Sequence, residues 1–374
     1  MEYTTIDKIS ENLDGKRKPI TSSDRTEGNI PYYGASGIVD YVEDYIFNES
    51  LLLVSEDGAN LLARSTPIAF SIEGKTWVNN HAHVLRFSNT VQQKYVELYL
   101  NHISLEAYIT GSAQPKLNQK KLNEIPIPVV SEQEMTEVVA TIEKIQNIIR
   151  KRKKELATLD KLIKARFVEM FGNPVTNDKG WDTDSCKNLM SKIGSGATPK
   201  GGRESYCDKG ISLIRSMNVY NNRFEYKDLA HITDEQAEQL DNVTIEKDDV
   251  LLNITGASVA RCCVVPGDLL PARVNQHVSI IRCKERILPD FVCCMFTEDN
   301  YQRLLWSIAT AGGATREAIT KQQIEELMLI VPPIDLQKQF MKFVQQVDKS
   351  KVAVQKALEE TQILFDSLMQ DYFG

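Results

Sequence analysis

No run of eighteen apolar residues occurs in the 374-residue chain, which excludes a membrane-spanning helix. The opening MEYTTIDKIS has neither a basic start nor an apolar segment, so no export signal is expected and the protein is expected in the cytoplasm. Cysteine is missing from the first half: Cys186, Cys207, Cys262, Cys263, Cys283, Cys293 and Cys294 all lie in the second. An odd number, two adjacent pairs and no CxxC spacing exclude a disulfide framework and offer no zinc site. Free thiols packed as small hydrophobes are expected. Basic charge is also short, with a net charge of −7, so nucleic-acid binding cannot be argued from the whole surface and would need a local face. Only residues 131–172 lean positive, with 9 basic groups against 7 acidic.

Catalytic signatures are missing too. The one Pro-Pro, in Val331–Ile334, is not the [DNS]PP[YFW] turn of an adenine methyltransferase. Gly194-Ser195-Gly196 is a lone GxG that follows no convincing strand, and SGATPKGGR (Ser195–Arg203) lacks the Gly-Lys-Ser/Thr ending of a phosphate loop. Neither a PD…ExK constellation nor a GxSxG elbow is present. No catalytic residue, metal or cofactor is expected on this chain.

What the chain does have is a duplicate. VNNHAHVLR (Val78–Arg86) returns as VNQHVSIIR (Val274–Arg282). LNQKKLNEIPIPV from Leu117 returns as ITKQQIEELMLIV from Ile319, and GSAQPK (Gly111–Lys116) as GATREA (Gly313–Ala318). Met170-Phe171-Gly172 returns as Tyr372-Phe373-Gly374. A repeat of this kind is one structural plan written twice. In VNNH and VNQH the amide and His stand at a strand entry, where they can tie a loop down by hydrogen bonds. Direct DNA contact by His81 or His277 is the alternative reading, and no repeated carboxylate or cysteine spacing around them points to a metal.

Each copy ends in a long helical pattern. Met135, Ile142, Ile149, Leu156 and Ile163 recur every seven residues, interrupted on the companion position by Arg152 and Arg166. Phe340, Val347 and Val354 share one register in the second copy, with Leu358 and Phe365 on its companion. This repeat, free of internal Pro and Gly, reads as a coiled-coil seam, the alternative being an amphipathic helix on a core. At 1.5 Å per residue each helix could span roughly 50–55 Å. The basic run RKRKK (Arg150–Lys154) reads first as a solvated face and second as a DNA-backbone or partner contact.

The remaining segments alternate like strands: LLLVS (Leu51–Ser55), PIAFSI (Pro67–Ile72), HVLRF (His83–Phe87), DVLLNIT (Asp249–Thr255) and HVSIIRC (His277–Cys283). YVELYLN (Tyr95–Asn101) and DFVCCMF (Asp290–Phe296) read as short helices. The fold class is therefore α+β: two mixed α/β globular parts separated by an antiparallel two-helix coiled coil, with an internal pseudo-two-fold repeat. The boundaries expected are 1–130, 131–172, 173–333 and 334–374. Between strands lie polar loops rich in Arg, Lys, Ser, Thr and Tyr, residue types suited to phosphate and base-edge contacts.

GKRKPI, IPYYGASGI, SEDGANLLARSTPIAF, WVNNHAHVLR, GSAQPKLNQKKLNEIPIPV, GATPKGG, NQHVSIIR, IVPPIDLQKQ and the two FG-terminated helices together resemble the specificity subunit of type I restriction–modification systems, over essentially the whole chain. The resemblance implies two target recognition domains (1–130 and 173–333), each reading half of a bipartite site on double-stranded DNA. It implies that the helices act as a ruler and dock two modification subunits, which methylate adenine with S-adenosylmethionine, and that a restriction or translocating subunit joins the complex.

Carried onto this sequence, the DNA-binding candidates are Lys16, Arg17, Lys18, Ser23, Arg25, Tyr32, Tyr33, Ser36, Asn60 and Arg64 in the first part. In the second they are Thr198, Lys200, Arg203, Asn218, Arg223, Thr255, Ser258 and Arg261. The differing loops imply an asymmetric site. Three rivals stay open on sequence: the recognition subunit of a type IIB-like restriction enzyme, a non-enzymatic coiled-coil scaffold that binds only proteins, and an autonomous methyltransferase or nuclease.

Overall fold

The computed structural model describes residues 2–111, 113–311 and 317–374, the side chain of Arg203 excepted. The chain forms two compact units, Met1–Lys153 with Lys356–Gly374, and Lys154–Gln355. Each unit therefore takes a piece of both long helices.

The first unit is built on the buried run at Leu51–Ser55, the third strand of an antiparallel sheet ordered Ser10–Asn12, Ala82–Phe87, Leu51–Ser55 and Ala69–Ile72. A continuous apolar run suits a strand covered on both faces. Leu52 and Val54 point into a core shared with the helix Thr90–His102, while Leu51 and Leu53 point to a smaller core with Phe47 and Val78. That smaller core lies under a second sheet, in which Glu27–Gly34 pairs in parallel with Lys75–Val78.

The second unit repeats the plan. Its four-stranded sheet runs Met190–Ser195, Val278–Cys283, Val250–Asn253, Cys262–Val264. Val250 and Leu252 face one core, Leu251 the other, and Ile211–Ile214 pairs in parallel with Ala272–Val274. An extra hairpin, Val219–Tyr220 with Arg223–Phe224, occurs here. All seven cysteines are free, and five of them (Cys186, Cys262, Cys263, Cys293, Cys294) are buried.

The central helix spans Glu132–Phe171 and the C-terminal helix Ile334–Phe373. Both begin ahead of their first apolar heptad residue, three residues before Met135 and six before Phe340. The extra turns carry Glu132, Glu134 and Asp335, which the positive end of the helix dipole favours. In the first unit Val138, Val139 and Ile142 share a core with Met369 and Phe373, and Arg152 donates to the Ala357 carbonyl and to Thr361 Oγ1. In the second, Phe167 packs edge-on to Phe340, and Lys351 pairs with Asp160 at 2.8 Å. Within each unit the two segments thus run antiparallel. Along the expected seam Ile142, Phe340 and Val347 are buried. Met135, Ile149, Leu156, Ile163, Val354, Leu358 and Phe365 are half-buried. Arg152 sits in this seam, its guanidinium satisfied by the facing helix. The other four residues of RKRKK are exposed.

Both helices stop at the repeated Phe-Gly. Gly172 and Gly374 take φ of 73° and 85°, and their amides bond back to Val168 and Gln370 at 2.8 Å. That left-handed cap is the one glycine adopts without a steric penalty.

Phe340 is fully buried, its ring 5.6 Å from Phe167 and 5.5 Å from Phe171. Phe340→Ala should cost the second unit about 3–5 kcal/mol, read as a lower urea midpoint. An unchanged midpoint would show that the helix does not close this core.

Candidate nucleic-acid interface

The repeated VNxH marks a hydrogen-bonded corner that both units share. Asn79 donates its amide to Tyr33 O at 3.0 Å, and Asn275 donates to Ile214 O at the same distance. The side-chain oxygens of Asn79 and Asn275 accept from the amides of His81 (2.8 Å) and His277 (3.1 Å). This is the turn by which an asparagine bonds the backbone two residues on. The histidine carbonyls then accept from Glu56 N (2.9 Å) and Ile254 N (3.0 Å).

Neighbouring loops join at equivalent places. Ser55 Oγ donates to Ala35 O (2.5 Å) and Asn253 Nδ2 to Ser216 O (2.8 Å). Gly58 N donates to Pro115 O and Gly256 N to Glu317 O. Each unit therefore gathers four loops on one rim with nearly identical main-chain bonding. The anchor is the asparagine, 7% exposed in both units. The histidines decorate the rim instead: His81 is half exposed beside Asp57 (2.9 Å), and His277 Nδ1 lies 2.7 Å from Thr255 Oγ1.

In the first unit Lys16, Lys18, Ser23 and Ser36 are exposed, Ser36 on the rim loop. Tyr33 is half-buried against Phe70. Four other candidates are engaged in hydrogen bonds of the fold itself. Tyr32 is 1% exposed, and its hydroxyl accepts from Ile20 N. Asn60 closes its own loop through Ser65 and Thr66. Arg64 donates to Asn101 O and Ile103 O at the end of a helix. Arg17 pairs with Glu56 at 2.6 Å and donates to Ala82 O at 2.8 Å. These side chains position loops, and a duplex would have to strip those bonds to reach them. Arg25 stacks on Tyr32 at 4.5 Å while paired with Asp40 at 3.0 Å.

In the second unit Asn218 is fully buried, accepting from Arg215 N and donating to Glu225 O, so it too holds a loop. Lys200 and Arg223 are exposed, and Thr198, Thr255, Ser258 and Arg261 are half-buried. The Arg203 side chain lies outside the described residues. Thr255 and Ser258 share the rim with Arg261, whose carbonyl accepts from Asn253 N at 2.8 Å. Sequence reasoning expected a polar anchor in VNNH and VNQH, where Asn79 and Asn275 hold the corner, and missed Ser55, Asn253 and Tyr220. For Ser55 and Asn253 a signal exists, a polar residue at the same place at the end of a buried apolar run.

Behind the first rim lies a buried charge network. His83 Nδ1 is 2.6 Å from Asp14, its Nε2 is 2.7 Å from Leu117 O, and Lys116 reaches Glu56 at 3.1 Å. Ligand atoms of Asp14, Glu56 and His83 lie within 4.8 Å of one another, a spacing that could hold an ion. Both His83 nitrogens already face oxygens, however, and Arg17 and Lys116 neutralise the carboxylates, so the group reads as an ion-pair network.

Burial alone would raise both carboxyls. The His83 hydrogen bond and charge, the Val84 amide and Arg17 nevertheless hold Asp14 below its ordinary 3.8. Arg17, His83 and Lys116 hold Glu56 below its ordinary 4.5. Depressed carboxyls contribute stability that is present above their unfolded values and lost as pH falls through the lower folded ones. The urea midpoint of the first unit should therefore drop as pH is lowered below about 4.5. Asp14→Asn should lower the midpoint at neutral pH and flatten that acid drop; an equally steep drop in the variant would contradict the network.

The chain matches the family model described as "Type I restriction modification DNA specificity domain" over residues 1–159 and 179–362. A protein of Haemophilus influenzae described as a type I restriction enzyme specificity subunit is 35% identical over 143 residues, 38% of this chain and 37% of that one. The chain thus spans little more than a third of that relative. The type I restriction enzyme MjaVIII specificity subunit of Methanocaldococcus jannaschii is 18% identical over 397 residues, covering 95% of this chain and 89% of that one. Among solved structures, the type I restriction-modification S subunit of M. genitalium matches with TM-score 0.62 and 13% identity, covering 100% of this chain and 96% of that one, a likeness of fold. With family-model matches in both copies and a duplicated rim in both units, the chain belongs to the type I restriction–modification DNA specificity family.

Proposed function

We propose that this chain reads DNA for a type I restriction–modification complex and does no covalent chemistry itself. Each unit reads one half of an asymmetric bipartite site, and the long helices dock two adenine methyltransferase subunits that carry S-adenosylmethionine. Restriction or translocating subunits join through that assembly.

The observation that carries this reading is the pair of rims. Their main-chain bonding is nearly the same, as in Asn79–His81 and Asn275–His277, while the side chains they present differ. Such a frame lets one fold support different base contacts, since phosphate contacts position a protein and groove contacts specify sequence. The helices support a protein partner: Val352 and Ile363 are about 70% exposed, and Leu364, Leu162 and Ile148 are exposed as well. Contiguous exposed apolar patches mark interaction sites, and Ile363 and Leu364 are neighbours in sequence on the C-terminal helix. No helix among the described residues is long and apolar enough to cross a membrane, so membrane insertion by a helix does not account for them.

Co-expression with a methyltransferase partner, in a host without DNA methylation, should write N6-methyladenine in a split motif with a fixed gap and two unlike halves. A stable complex that writes no new motif would count against the reading and favour a scaffold.

A further inference from the structure

We infer that Arg261 is a specificity-determining residue of the second unit, taking the edge of a guanine in the major groove, and that Tyr220 is its positioning residue. This rests on the proposed DNA-reading function.

Two guanidinium groups lie against one ring: Arg261 is 4.6 Å and Arg223 is 5.0 Å from the Tyr220 centroid. Bringing two like charges to one ring is unfavourable unless the ring's electron-rich face, or a ligand, offsets it. Arg223 is partly neutralised by Glu225 at 3.5 Å. Among the described residues no carboxylate pairs with Arg261. The contrast with the first unit is direct, because Arg25 stacks on Tyr32 but is also paired with Asp40 and bonded to Ile20 O.

The backbone on both sides of the stack is tied down. Tyr220 and Arg223 face each other across a two-residue hairpin. At its tip Asn222 takes φ of 55°, a conformation asparagine tolerates in such turns. Asn222 N donates to Cys262 O at 2.9 Å, and its side-chain amide donates to Thr297 Oγ1 at 2.8 Å. Arg261 is fixed at the other side, since Asn253 bonds to its carbonyl and also to the loop carrying Ser216. A planar, oriented guanidinium with free N–H groups at a loop rim matches the paired O6 and N7 acceptors of guanine. Contact with the aromatic ring restricts its motion, so less side-chain freedom is lost on binding.

The test uses the full chain with its methyltransferase partner, and reads the motif from N6-methyladenine in native DNA. In Arg261→Ala one G·C position of one half-site should become degenerate, its discrimination falling about ten- to a hundredfold, while the other half stays unchanged. Tyr220→Leu should relax the same base pair, and Tyr220→Phe, which keeps the ring, should restore it. The unchanged half-site shows in each case that the variant folds and assembles.

An unaltered motif in Arg261→Ala overturns the proposal. So does a uniform loss of methylation at every site with a shallower salt dependence, the behaviour of a phosphate contact. A normal motif in Tyr220→Leu overturns the positioning role. If the unmodified chain writes no split motif at all, the DNA-reading function fails first; a split motif untouched by all three variants sinks the guanine assignment and the positioning role and leaves the DNA-reading function standing.

Discussion

In each unit the larger core, on one face of the four-stranded sheet, is closed by aromatic residues of the long helices, and the unit depends on that closure. In the first unit Phe373, from the far end of the chain, packs edge-on against Tyr95 and Tyr99 at 5.3 and 5.6 Å. In the second, Phe171 and Phe340 meet Phe291 and each other. The first unit borrows these core residues from a segment more than two hundred positions away, so its own strands alone do not complete that core. The helices are thus core elements as much as connectors. The repeated Phe-Gly shows the solution was duplicated with the rest, since both glycines cap by the same left-handed turn.

Because the core is settled by strands and helices, the rim loops are free to differ. The corner made by Asn79 and Asn275 keeps two main-chain bonds and one side-chain-to-backbone bond in both units although facing side chains such as Tyr33 and Ile214, or Ser55 and Asn253, differ. Binding residues concentrate on loops set by a rigid scaffold, and here the scaffold includes buried polar groups that look functional from sequence. Arg17 and Arg64 are cations in polar loops, yet their hydrogen bonds tie those loops to strands and helix ends.

Much of the frame was legible in the residues. Leu51–Ser55 is apolar throughout because it is covered on both faces, and the seven-residue repeat survives in Ile142, Phe340 and Val347 as buried positions. The site was only half legible. Which arginine is free depends on partners such as Glu56, 39 residues from Arg17, that no local pattern discloses. Tyr220 went unnoticed because its strand is two residues long, and only the fold brings Arg261 to its ring. The repeated histidine drew attention that belonged to the asparagine two residues before it.

The central claim is that two units of one plan read two half-sites independently. The most direct measurement replaces residues 1–130 with the matching segment of a family member of different specificity and maps adenine methylation by native-DNA sequencing. The account predicts that one half of the split motif changes while the other half and the gap stay as they were. A motif that changes in both halves, or in neither, would contradict it.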